Sequence, residues 1–148
     1  MKALVQRVRQ ASGTLENKIY SEIKQGFLVL LGVEKNDSEA EAVYLANKVA
    51  ALRVFEDEQG KMNLSVRDIG GSLLVVSQFT LAGDTSRGNR PGFETAARPE
   101  TALPLYEFFV QELKNKGLPV ATGVFQADMQ VALVNDGPVT FMLEKHCG

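Results

Sequence analysis

Gly26-Phe27-Leu28-Val29-Leu30-Leu31-Gly32-Val33 is the stretch on which the fold turns. It is apolar at every position between its glycines, so it has neither the alternation of a half-exposed strand nor the length of a helix. A short, branched, uninterrupted run of this kind is what a strand covered on both faces requires. It is expected at the centre of a sheet. A second run, Ser72-Leu-Leu-Val-Val-Ser-Gln-Phe79, follows the turn signal Gly70-Gly71 and reads the same way.

Around these two runs the elements take an order. Lys2 to Arg9 forms a strand with Val5, Arg7 and Arg9 on one face and Leu4 and Val8 on the other; residues 18 to 24 form a weaker one. Ser38 and Glu41 have capping-box spacing, and Ala42, Leu45, Val49 and Leu52 recur every three or four residues, which predicts a helix to about Arg53. A short strand over Arg53–Glu56 closes at the turn residues 57–60. Residues 82–99 have no apolar period and read as a long loop or flap, of the kind that often serves function. Ala102, Leu105, Phe109 and Leu113 then form the stripe of a second helix. Pro104 is placed in its first turn, where proline is tolerated, and Lys114, Lys116 and Gly117 mark its exit. Extended segments are expected at 120–125 and 129–134. A sharp break follows at Asn135-Asp136-Gly137-Pro138, and a half-buried strand at 139–144 ends the order. Two helices are too few to cover both faces of a sheet. The fold expected is α/β of the α+β type: mixed, largely antiparallel sheets with two main helices packed on one side, in a single domain over residues 1–148.

The composition supports an ordinary globular chain. Of 148 residues, 45% are hydrophobic and 23% charged, and the mean hydropathy is −0.07. That excludes a disordered or fibrous protein. No apolar run approaches the roughly 20 residues of a membrane span, and the amino end lacks a signal-type apolar core. A soluble, cytoplasmic protein is expected. The net charge of −2 argues against a broad basic face for nucleic acid but leaves room for a few placed phosphate contacts. Arg87, Arg90 and Arg98 against Asp84 and Glu94 would ordinarily be a solvated loop.

What is scarce limits the chemistry more. One cysteine, Cys147, and one histidine, His146, stand next to each other near the carboxyl end. They can form neither an intrachain disulfide nor a Cys/His zinc site, and a histidine-based triad would need a residue from a terminal tail. They read as an inert tail. Catalysis here is expected to run without a histidine base, a metal or a cofactor. Neither a Rossmann fingerprint nor a P-loop is present.

Two segments remain. Ser77-Gln78-Phe79-Thr80-Leu81 ends a buried strand, where backbone amides run out of partners and can face a ligand. Its polar residues are either plain turn formers or an oxyanion-holding group, with Thr80 as nucleophile or orienting group. Gly137-Pro138 is a plain hairpin turn if its peptide bond is trans. If the bond is cis, it presents two carbonyl oxygens as a rigid acceptor pair for an ammonium group.

Ser77-Gln78-Phe79-Thr80-Leu81, Arg87-Gly-Asn-Arg-Pro91, Ala127-Asp128-Met129-Gln130-Val131 and Asn135-Asp136-Gly137-Pro138-Val139-Thr140 together resemble the D-aminoacyl-tRNA deacylase family over essentially the whole chain. Gln126 and Gly92 depart from its pattern. The resemblance implies a metal-free, homodimeric hydrolase that cleaves the ester joining a D-amino acid to the terminal adenosine of tRNA. Glycyl-tRNA is implied as a further substrate, and neither DNA nor membrane as a partner. It implies that Ser77, Gln78, Phe79 and Thr80 line the reacting ester. Gly137 and Pro138, in the cis form, would enter the other subunit's site. Arg7 would hold their carbonyls, Met129 would lie near the adenosine, and Asn135 would join them in binding substrate. Fixed carbonyls on the ammonium and backbone crowding where an L side chain would project then reject every L residue but leave glycine. A non-catalytic RNA-binding module and a small-molecule esterase are the alternatives.

Overall fold

A computed structural model describes residues 1–147. The elements run β1 (Lys2–Leu15), β2 (Lys18–Ile23), β3 (Gly26–Gly32), α1 (Glu39–Ala51), β4 (Phe55–Glu56), β5 (Met62–Leu64), β6 (Ser72–Ser77), a 3₁₀ turn (Phe79–Ala82), α2 (Pro99–Asn115), β7 (Val120–Thr122) and β8 (Gln130–Glu144). The main sheet has the order β2-β1-β3-β6-β7, with β8 added along β1, and β4 and β5 form a separate ribbon. Pairings of β1 with β2, β3 and β8 are antiparallel, whereas β3–β6 and β6–β7 are parallel. The expected mixed sheet and the central position of residues 26–32 both hold.

The helices cover one face. Phe27, Val29, Leu31, Leu73 and Val75 pack with Ala42, Leu45 and Val49 of α1 and with Leu105, Phe109 and Leu113 of α2 in one buried cluster. Side chains of the opposite parity, Val8, Leu28, Leu74 and Val76, form a second, smaller cluster on the other face, as the period-2 geometry of strands requires. The capping box of α1 is made: Ser38 accepts from the Ala40 N–H, and Glu41 accepts from the Ser38 N–H at 2.8 Å. Among the described residues no helix is long and apolar enough to cross a membrane.

Four expectations need correcting. β1 continues to Leu15 because it changes partner along its length, pairing β3 over residues 2–8 and β2 over residues 11–15, with a bulge at Gly13/Thr14 inside the second pairing. Helix α2 begins at Pro99, not near Ala102; proline at the first helical position supplies a preset φ and lacks only an N–H that would have no partner there. Pro104 therefore sits in the second turn. The extended segment expected over 120–125 stops at Thr122, and β5 was not expected at all.

The fourth correction concerns the carboxyl end. The break at 135–138 does not separate two strands of a hairpin; β8 runs through it in one direction, antiparallel to β1 on both sides. Gln6 pairs with Thr140 and Val8 with Asn135, so residues 136–139 form an outward bulge opposite Arg7 alone.

Candidate active site

Strand β6 delivers Ser77 to the edge of a cavity of about 490 Å³. Ser77, Gln78 and Phe79 form one wall, Met129 and Val131 another, and Ala97, Pro99 and Ala102 close it from the start of α2. The chain turns sharply there because the ladder ends: Gln78 N–H still donates to Leu31 O at 2.8 Å, and the 3₁₀ turn begins at the next residue. Leu81 N–H bonds Gln78 O and Gly83 N–H bonds Thr80 O, but the Phe79 and Thr80 N–H groups have no backbone acceptor among the described residues. Two adjacent main-chain donors are thus left for something outside the backbone.

The side chains of this turn are mutually engaged. Gln78 hydrogen-bonds the Thr80 hydroxyl. In either orientation of its amide, Gln78 is not a base, and no carboxylate, lysine or histidine among the described residues bonds Thr80. Phe79 is 58% exposed and lies against Phe93, ring centroids 5.1 Å apart.

Met129 is fixed from two sides by the absence of side chains. A Cβ on Gly13 would come within 2.5 Å of its Cε, and one on Gly123 within 2.8 Å of its Sδ. Both glycines make room for a thioether that fills the cavity wall. Behind the wall, Tyr106 of α2 donates to Val75 O at 2.7 Å and ties the helix to the strand that carries Ser77. Burial pushes its hydroxyl up to about 12, so it stays a donor throughout the neutral range.

The other residues singled out from the sequence lie elsewhere. Arg7 is only 6% exposed; its Nε donates to Asp136 O at 2.9 Å and its Nη1 to Val54 O at 2.7 Å. It thus holds the carbonyl just before Gly137. Asn135 spans the bulge, accepting from the Val139 N–H and donating to the Thr140 hydroxyl, each at 2.8 Å. Gly137 and Pro138 are exposed at its tip, and the peptide bond between them is cis. Arg7 pairs across from Phe27, and Ser77 from Leu31. At ~3.3 Å per residue the two groups stand roughly 13 Å apart along the sheet. Within one chain the bulge does not reach the cavity.

Three parts of the wall escaped the sequence: Pro99, read only as the end of a loop, Ala102, read only as helix, and Phe125, read as strand. The segment 123–129 that carries Phe125 has a left-handed residue, Gln126 (φ 64°), a turn that a glutamine does not advertise. His146 lies outside this site, hydrogen-bonded to Glu144 at 3.2 Å.

Comparison with known proteins finds relatives along nearly the whole chain. The family model described as D-Tyr-tRNA(Tyr) deacylase matches residues 4–144. A D-aminoacyl-tRNA deacylase of Pelobacter propionicus is 60% identical over 145 residues, covering 98% of this chain and 100% of the relative. One of Koribacter versatilis is 60% identical over 144 residues, 97% of each chain. Among solved structures, one described as c-Myc DNA Unwinding Element Binding Protein superposes with a TM-score of 0.93 at 42% identity, covering 99% of this chain and 100% of that one. Another, described as a probable eukaryotic D-amino acid tRNA deacylase, superposes at 0.80 with 15% identity over 96% of this chain and 97% of its own, a likeness of fold.

Proposed function

Because this chain belongs to the D-Tyr-tRNA(Tyr) deacylase family, we propose that it hydrolyses the ester between a D-amino acid and the terminal adenosine of tRNA, using a cavity completed by a second copy of itself. The unengaged N–H group of Phe79, a residue of the cavity wall, and that of Thr80 next to it in the chain carry this reading. Aimed at the ester, they would stabilise the oxyanion formed as water adds to the carbonyl, each such donor being worth about 10²–10³ in rate.

The remaining chemistry is supplied by the substrate. Water forms a bond to the carbonyl carbon, the bond to the ribose 3′-oxygen breaks, and the neighbouring 2′-hydroxyl relays the proton from water to that oxygen. Thr80 has no base beside it, which favours this route over a covalent one. The enzyme acts in the cytoplasm, where tRNA is charged, and takes glycyl-tRNA as well, since glycine has no side chain to exclude.

Selection by handedness falls to Gly137-Pro138 from the second copy. Support comes from the separation within one chain and from the face of the sheet opposite the helices, which is only partly covered. Met142, Leu4, Leu30 and Val76 form a continuous cross-strand row there, with Met142 45% exposed. A two-fold axis through that row buries it and brings the bulge end of each protomer to the cavity end of the other. One structural relative is described as binding a DNA element; a net charge of −2 gives duplex DNA little to hold, and no DNA partner is assigned here.

Incubation with matched D- and L-tyrosyl-tRNA, with and without a chelator, tests this reading. Selective, chelator-resistant loss of the D-ester is expected. Equal loss of both esters, or of neither, would overturn it.

A further inference from the structure

We infer that Arg87 and Arg90 grip backbone phosphates of the RNA just outside the cavity; this rests on the deacylase reading and assigns its substrate-positioning residues. The loop that bears them is not a slack connection. Asp84 and Gly92 exchange both backbone hydrogen bonds, at 2.7 and 2.9 Å, closing a short ribbon. The Asp84 carboxylate accepts from the Ser86 N–H at 2.9 Å, and its bonds to Ser86 hold its pKa below the usual value, so its charge is directed into the loop. Beyond that closure, residues 85–91 contain two arginines and no acid.

The base of the ribbon is fastened to the rim of the cavity. Phe93 packs against Phe79 with the rings tilted at 59°, Thr95 donates its hydroxyl to Ala82 O at 3.2 Å, and the Ala97 N–H bonds Val33 O at 3.0 Å. Four residues beyond the Asp84–Gly92 closure, the tip can stand no more than about 13 Å away. A strand leaving the cavity would pass the exposed Phe79–Phe93 pair and meet the arginines next.

Four of the other five arginines have local tasks, while Arg98, exposed and without a side-chain partner among the described residues, stands at the N-cap of α2, outside the ribbon. Arg7 holds Val54 O and Asp136 O, Arg9 pairs with the Asp136 carboxylate at 3.4 Å, Arg53 holds Asn63 O and Arg67 holds Lys116 O. Among the described residues Arg87 and Arg90 have no hydrogen-bond or ion-pair partner, and both are exposed. Two planar, permanently charged forks with no structural task, beside a site for an RNA end, suit phosphate oxygens.

The test compares wild type with an Arg87→Gln/Arg90→Gln double variant. Binding of a CCA-ended acceptor-stem RNA is read by fluorescence anisotropy across salt concentrations, alongside hydrolysis of D-tyrosyl-tRNA and of D-tyrosyl-adenosine, which has no phosphate. The variant should melt like wild type. It should bind the RNA roughly tenfold or more weakly, with the slope of log K against log salt shallower by about 1.4 for two single-strand contacts. KM for D-tyrosyl-tRNA should rise while kcat/KM for D-tyrosyl-adenosine stays unchanged, and Arg87→Lys/Arg90→Lys should recover part of the binding. Unchanged affinity and slope, or a parallel fall in D-tyrosyl-adenosine hydrolysis, would overturn the assignment. If wild type binds the RNA through these arginines yet cleaves neither ester, the binding data uphold the assignment and the deacylase reading fails instead.

Discussion

Arg7 and Asp136 are joined by a hydrogen bond of 2.9 Å from the guanidinium Nε to the main-chain oxygen, so the residue before Gly137 is anchored from inside the sheet. The same guanidinium reaches Val54 O, and a flexible ammonium cannot match that fork. Arg7→Met would leave both carbonyls without their charged donor. A loss of about 3 kcal/mol is expected, read by thermal denaturation, together with a lower ratio of D- to L-ester hydrolysis. Arg7→Lys should recover stability in part and selectivity less. A D/L ratio unchanged in both variants would remove Arg7 from the selecting apparatus.

Gly137 tolerates no side chain. Its φ is +137°, and a Cβ there would lie 2.6 Å from Val139 Cγ2, 3.1 Å from Val139 N and 3.2 Å from Arg7 Nη2. Gly137→Val must displace the bulge, at a local cost of about 1–3 kcal/mol. Because the bulge is far from the cavity of its own chain, the fold of that cavity should survive. Chiral selection is expected to fall at least roughly tenfold, which corresponds to about 1.4 kcal/mol between the two transition states. Parallel D- and L-tyrosyl-tRNA time courses measure it, and an unaltered ratio rules out a selecting role for the bulge.

Tyr106 links stability to alkaline pH. Burial raises its hydroxyl from the ordinary value of 10.0 to about 12, so the folded chain holds the phenolic proton more tightly than the unfolded one. The resulting contribution is complete below about pH 10 and is lost as pH rises through 12. Tyr106→Phe, which also removes the bond to Val75 O, should cost about 1 kcal/mol at neutral pH. The gap between wild type and variant in urea unfolding should stay constant from pH 8 to about pH 10 and narrow above it. A gap that stayed constant there too would show that the hydroxyl is not buried as described.

Features carried by local chemistry were legible in the sequence. Phe27 to Leu31 announces a covered strand by having no polar side at all, and Ser38 with Glu41 marks a helix start by a bond pattern that needs only four residues. The end of β6 was legible for the same reason, since Ser-Gln after Leu-Leu-Val-Val signals the end of the ladder. Non-local pairing was not. Asn135-Asp136-Gly137-Pro138 has the composition of a turn, and only the register of β1 against both flanks shows it to be a bulge in one strand. Pro99, Ala102 and Phe125 reach the cavity through the packing of α2 and the 123–129 segment, and no spacing in the chain encodes that meeting. The family motifs named Met129; the glycines that seat it, Gly13 and Gly123, are apparent only in three dimensions.

The hydroxyl of Thr80 separates the two routes to ester cleavage. As a nucleophile it would need a group to take its proton, and its one side-chain partner is the Gln78 amide, which cannot. Thr80→Ala should therefore keep most of the single-turnover rate, within about tenfold, because the Phe79 and Thr80 N–H groups belong to the backbone and survive the substitution. Replacing the terminal adenosine of the D-tyrosyl-tRNA by 2′-deoxyadenosine should instead lower the rate by about 10²-fold or more, the range of a lost proton relay. The two results are measured under one protocol, by quenched-flow hydrolysis with enzyme in excess. An acyl-enzyme trapped on Thr80 by denaturing quench, with little sensitivity to the 2′-deoxy substitution, would establish the covalent route in place of the one that the lone amide partner favours.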